Sequence, residues 1–125
     1  MPTFDHVNLG VPDGVMDTQV AFLTEILGYR RVDPGPEILP RANPMWFEGD
    51  DGGQVHLSMD PDHRPAARAH LAVRVGDDLE ATGKRLVAGG YACDPITFGG
   101  HDRLLTKDPA GNRWELIGPP PLAEQ

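Results

Sequence analysis

Ala69-His70-Leu71-Ala72-Val73-Arg74-Val75 is the stretch that decides the fold, because it restarts an order the chain has already run through once. Leu71, Val73 and Val75 alternate with His70, Ala72 and Arg74, the two-residue period of a half-buried strand. The same alternation opens the chain over residues 4–11, with Val7, Leu9 and Val11 on one parity and His6, Asn8 and Gly10 on the other. Matching signals follow each opening. In the first half Pro12-Asp13-Gly14 turns the chain, and Asp17 is placed to cap a helix with Met16, Val20, Leu23 and Leu27 at helical spacing. Gly28 stops it. In the second half Asp77 is placed to cap a helix carrying Leu79, Thr82, Leu86 and Val87, ended by Gly89-Gly90.

Short strands follow each helix. The first half predicts them over residues 29–32, 45–48 and 54–59, with Asp50-Asp51-Gly52-Gly53 suited to a hairpin turn. The Pro-rich residues 34–44 carry no pattern. The second half predicts strands over residues 91–97, 102–107 and 112–117, the last entered through Asp108-Pro109-Ala110-Gly111. Residues 60–67 read as a linker and 119–125 as a loose tail. The chain is thus an internal repeat of strand, helix and three strands, one domain over residues 1–125 with module 1 at about 1–60 and module 2 at about 66–118. One helix and a few strands cannot bury both faces of a sheet. Pairing the modules solves this, one face taking the helix and the other facing its twin across a shared cavity. The expected fold class is α+β, with two paired βαβββ modules forming a cupped mixed β-sheet and helices on the outer face.

Composition bounds the function. The 125 residues suit one compact domain. Eleven Lys and Arg against nineteen Asp and Glu give a net charge of −8, which argues against nucleic acid or an anionic membrane as partner. No apolar run approaches the roughly 20 residues of a membrane span. The opening MPTFDHVNLG carries no secretory pattern, so a cytoplasmic protein is expected. Cys93 stands alone, which excludes an internal disulfide and a multi-cysteine metal site. With no basic neighbour it reads as a packing residue.

Parity selects the chemistry, because successive strand side chains point to opposite faces. Where Val7, Leu9 and Val11 face the core, His6 and Asn8 face away. Where Val55, Leu57 and Met59 face it, Gln54, His56 and Ser58 face away. His70 and Arg74 oppose Leu71, Val73 and Val75, and Arg113, Glu115 and Ile117 oppose Trp114 and Leu116. His6, His56, His70 and Glu115 therefore share the face turned from the helices, at matching positions of the two modules. Imidazoles and a carboxylate are ligands for zinc, nickel, manganese or iron. Asn8, Ser58, Arg74 and Arg113 share that parity and are candidates to orient substrate, the arginines by gripping a carboxylate or phosphate. His63 reads as a solvated linker residue, and His101 as a turn residue. Trp46 and Phe47 are expected to split between core and cavity wall.

The runs FDHVNLGV, GQVHLSM, AHLAVRV and above all DPAGNRWEL resemble the vicinal oxygen chelate superfamily, over about residues 3–118. That superfamily includes glyoxalase I, fosfomycin-resistance transferases, extradiol dioxygenases and bleomycin-binding proteins. The resemblance implies paired βαβββ modules around a divalent ion, with ligands at the positions of His6, His56, His70 and Glu115. It departs from glyoxalase I at His56, where that enzyme usually has Glu. The implied function is a metal-dependent lyase, isomerase or thiol or group transferase acting on a small oxygenated molecule, with His56 and Glu115 catalytic and His56 able to shuttle a proton. An alternative uses His6, His70 and Glu115 as a triad for iron(II) and dioxygen, as in extradiol dioxygenases. Another is a protein that sequesters a small toxic molecule without turnover. The resemblance also implies a homodimer, with modules either kept within one chain or exchanged between chains.

Overall fold

The computed structural model describes residues 1–33 and 45–121, so the loop expected over 34–44 and the end of the tail lie outside the described residues. The chain divides into two compact units, Met1–His63 and Arg64–Gln125, and each is a βαβββ module.

Module 1 runs β1 (His6–Val11), α1 (Met16–Ala21), β2 (Arg30–Val32), β3 (Met45–Glu48) and β4 (Gln54–Met59). Its sheet has the order β1-β4-β3-β2, with β1 and β4 parallel and the other neighbours antiparallel. Module 2 runs β5 (His70–Arg74), α2 (Leu79–Ala88), β6 (Asp94–Phe98), β7 (His101–Lys107) and β8 (Arg113–Ile117). Its order is β5-β8-β7-β6, again with one parallel pair, β5 and β8. The fold class is α+β, each half a four-stranded mixed sheet with one helix.

The registers of the two parallel pairs correspond. His6 lies opposite Gln54 and Asn8 opposite His56; His70 lies opposite Arg113 and Ala72 opposite Glu115. His6 and His70 thus occupy one equivalent position, and His56 and Glu115 another.

The apolar parities form the cores. Leu9, Val11, Phe22, Leu23, Phe47, Val55 and Leu57 are buried in module 1; Leu86, Trp114, Leu116 and Ile117 are buried in module 2. Met59, expected on the core side, is exposed. It ends β4, where the Asp60 N–H bonds Val11 O and the chain turns away. Val87, expected on the buried stripe of its helix, is exposed, and Gln19 rather than an apolar residue is fully buried on α1.

Helix stops were legible and starts were not. Gly28 and Gly90 adopt φ of +85° and +80°, the left-handed region open to glycine without a Cβ penalty. Asp17 does not cap α1. The cap position is Val15, whose carbonyl accepts the Gln19 N–H and the Thr18 hydroxyl, and Asp17 lies in the first turn. The helix then widens into a π-helical turn over Phe22–Ile26 before Gly28. Asp77 likewise gives way to Asp78, because a 3-10 turn over Gly76–Asp78 precedes α2. Strand β6 begins later than expected, since the Tyr91 N–H still bonds Leu86 O at the helix exit.

Candidate metal and substrate site

In module 1 the face bearing His6 and His56 holds a stack. The His56 ring lies between Trp46, at 3.9 Å and 5°, and His6, at 4.2 Å and 12°. Trp46 and Phe47 divide as parity requires, the first against His56 and the second in the core. His6 donates from Nδ1 to Asp5 Oδ2 at 2.7 Å, which leaves Nε2 for a ligand. A carboxylate on the far nitrogen is the usual support of a metal-bound histidine.

His56 is anchored the other way round. Gln54 donates its amide to Glu48 Oε1 at 3.2 Å, so its carbonyl oxygen faces His56 Nε2 at 3.0 Å. That oxygen only accepts, so Nε2 carries the hydrogen and Nδ1 keeps the lone pair. Burial first, and the charge of His6 second, push the His56 imidazole below its ordinary value against a raising effect of Asp5. A neutral ring near pH 7 follows. Ser58 donates its hydroxyl to Asn8 Oδ1 at 2.7 Å, so these two substrate candidates form one exposed polar pair.

In module 2 His70 donates from Nδ1 to the Arg68 carbonyl at 3.2 Å, and its Nε2 stands 3.6 Å from Glu115 Oε1. The other carboxylate oxygen is held by Arg103 Nη1 at 2.6 Å. Arg103 itself donates from Nε to Phe98 O and lies over the Phe98 ring at 4.0 Å. Glu115 is therefore buried with one oxygen clamped and the other presented to His70. A cleft of about 410 Å³ runs beside them, with Arg68, Lys107 and Arg113 among its walls. Arg113 donates to Ala67 O at 2.6 Å. Arg74 is exposed on the same face of β5.

The four expected ligands thus come in two pairs, one per module. Among the described residues, no three His, Cys, Asp or Glu side chains gather as a ready metal cluster. The module 2 pair nevertheless fits an ion. Two donors about 2.1 Å from a tetrahedral ion stand roughly 3.4 Å apart, close to the His70–Glu115 separation. The module 1 pair fits less directly, because stacked rings keep their lone pairs in nearly parallel planes. His6 offers a free nitrogen, whereas His56 must turn to share an ion with it.

His101 and His63 carry no visible chemistry. His101 bonds Gly118 O at 2.7 Å, and His63 is half-buried against Gly10 rather than fully solvated. Sequence reading missed Arg103 and Lys107. Both share the parity of Leu105 on β7, and that strand's parity was the signal that would have found them.

The glyoxalase-like domain family matches residues 11–117, and the chain belongs to it, within the vicinal oxygen chelate superfamily. A protein assigned to the glyoxalase family from Bacillus anthracis is 27% identical with a TM-score of 0.79, the match covering 95% of this chain and 96% of that one. A glyoxalase/dioxygenase from Nostoc punctiforme is 24% identical with a TM-score of 0.79, covering 94% and 91%. The fosfomycin resistance protein FosX of Listeria monocytogenes, in a mutant complexed with Mn(II) and 1S,2S-dihydroxypropylphosphonic acid, is 17% identical with a TM-score of 0.74, covering 94% and 92%. No curated protein matches the chain.

Proposed function

We propose that the protein is a divalent-metal-dependent enzyme acting on a small oxygenated molecule, as a lyase, an isomerase or a thiol or group transferase. One observation carries this reading. His70 Nε2 and Glu115 Oε1 face each other at 3.6 Å while their far atoms are held by Arg68 O and Arg103. A proton or a metal cation belongs between two such atoms, and a buried carboxylate beside an imidazole is a donor set for zinc, nickel, manganese or iron.

His6, His70 and Glu115 would hold the ion, with His56 as a fourth donor after its ring turns. A divalent ion there supplies Lewis-acid stabilisation of negative charge developing on a substrate oxygen. The chain's own groups do the rest. Where its ring stays in place, held by Trp46 and by Gln54 at Nε2–H, neutral His56 accepts a proton at Nδ1 and does not join the ion. Arg103 fixes the rotamer of Glu115. Asn8 and Ser58 offer an amide and a hydroxyl to substrate oxygens, and Arg74 and Arg113 offer positive charge.

The engagement of His56 by Gln54 favours a second reading in one respect. It sets His56 apart and leaves two histidines and one carboxylate, the donor set of iron(II) oxygenases.

Elemental analysis of the purified protein beside Glu115→Ala and His56→Ala tests both. Stoichiometric zinc, nickel or manganese, lost in Glu115→Ala and kept in His56→Ala, makes His56 the proton carrier; loss in both makes it a ligand. Iron kept in His56→Ala, with oxygen uptake, moves the assignment to the dioxygenase. Full metal content in Glu115→Ala, or no uptake by the wild type even after divalent ions are added back, overturns the metal site. The latter result favours a sequestering protein.

A further inference from the structure

The sheet face of module 2 that carries Glu115 has an unusual charge pattern. The cations Arg113 and Lys107 lie directly opposite one another on β8 and β7, with His70 beside Arg113 on β5. Like charges directly opposite one another on a sheet repel. The chain has nineteen Asp and Glu with which to offset them. Yet among the described residues no carboxylate forms an ion pair with Arg113 or Lys107, while Arg103, four residues before Lys107 on β7, has Glu115 as its partner. The single bond of Arg113 to Ala67 O fixes the guanidinium without neutralising it, because a carbonyl carries no net charge. Both cations line the cleft of about 410 Å³, with Arg68, His70 and the two carboxylates Asp94 and Glu115. Arg68, Lys107 and Arg113 outnumber Asp94 and Glu115 there, and Glu115 is already paired with Arg103, so in a chain of net charge −8 the cleft carries a local excess of positive charge.

We propose that Lys107 and Arg113 form the subsite for an oxyanion carried by the substrate, so that the small molecule is a carboxylate or a phosphoryl or phosphonyl compound. The subsite rests on the metal reading only for its place beside the reacting atoms. Arg113 has donors left over for a two-point grip, and Lys107 adds a point charge from the neighbouring strand. An anion between them relieves their repulsion, so binding gains from both.

The test uses protein freed of metal by a chelator, so its outcome does not depend on the metal site. Methylphosphonate and acetate are titrated separately at constant ionic strength, with backbone amide NMR shifts as readout. The expected result is saturable shifts at residues 67–70, 107 and 113, for at least one probe, with affinity about tenfold weaker in Lys107→Met. Lys84→Met, on the exposed face of α2 where Lys84 pairs with Glu80, serves as control and keeps the wild-type affinity. Preference for methylphosphonate assigns a phosphoryl or phosphonyl substrate, and preference for acetate a carboxylate. Shifts that stay linear for both probes, or that are unchanged in Lys107→Met, overturn the subsite even where elemental analysis upholds the metal. Saturable binding in a protein that takes up no metal overturns the metal reading alone.

Discussion

Asp108 is 4% exposed, and its carboxylate accepts from the Asn112 N–H at 2.8 Å, the Asn112 amide at 3.1 Å and the Trp114 indole at 3.0 Å. The run Asp108-Pro109-Ala110-Gly111-Asn112 is therefore a turn tied to the core by one side chain. Gly111 is required on two counts, a φ of +87° and a Cβ that would stand 2.6 Å from Pro65 Cγ. The turn was legible from its Pro and Gly. The bond to Trp114 was not, because it depends on the indole being buried on the far side of β8. Asp108→Ala strands that indole N–H and should cost about 1–3 kcal/mol of stability, measured by urea unfolding. Asp108→Asn, which keeps one accepting oxygen, should lose less. Equal stability of Asp108→Ala and wild type would show that the turn does not depend on this carboxylate.

Strand faces were legible where helix starts were not, and the reason is physical. Alternation on a strand follows from backbone geometry alone, so His6, His56, His70 and Glu115 fell on one parity before any contact was known. A helix start depends on which of several neighbouring groups meets the free backbone ends. Near Asp77 the position before the helix falls to Asp78, which makes no side-chain bond to the backbone ends; its carboxylate accepts instead from Arg85 at 2.9 Å and from the Thr82 hydroxyl at 3.2 Å. The Arg85 hydrogen bond, first, holds the Asp78 carboxyl below its usual value, although burial acts the other way. The sign follows from linkage. A folded-state pKa below the unfolded 3.8 gives stability that is present above about pH 4 and lost as pH falls through the folded value. Asp78→Asn should lower stability at pH 7 by no more than about 1 kcal/mol for so exposed a pair, seen as a slightly lower Tm. The difference from wild type should close as both are acidified below about pH 4. A gap that persists at low pH would assign the effect to something other than the charge.

For the whole molecule, the repeat is what singled out a candidate site in one sequence, since it turned four scattered residues into two matched pairs. Divergence between the modules then gave each pair its own surroundings. His56 acquired the Trp46 stack and the Gln54 bond, and Glu115, at the equivalent position, acquired Arg103. The Trp46 stack and the Arg103 bond were not legible, because each comes from a neighbouring strand whose register only the fold supplies; Gln54, two residues from His56 on the same strand and face, was. The proposed ion has a consequence at this scale. If it takes donors from both modules, it binds only when both are folded, and it links their unfolding. At a free metal concentration a hundred times Kd the gain is about 2.7 kcal/mol. Calorimetry should then show one cooperative transition that moves to higher temperature with metal and falls back with chelator. In Glu115→Ala the transition should ignore the metal. A trace in which metal raises only part of the transition would confine the ion to one module, with His70 and Glu115 as its remaining donors. If the protein is the homodimer that its sequence leads one to expect, protein concentration separates the two arrangements. Where modules are exchanged between chains the ion draws its donors from two molecules, so the metal-dependent rise weakens on dilution; where one chain supplies them all, it does not.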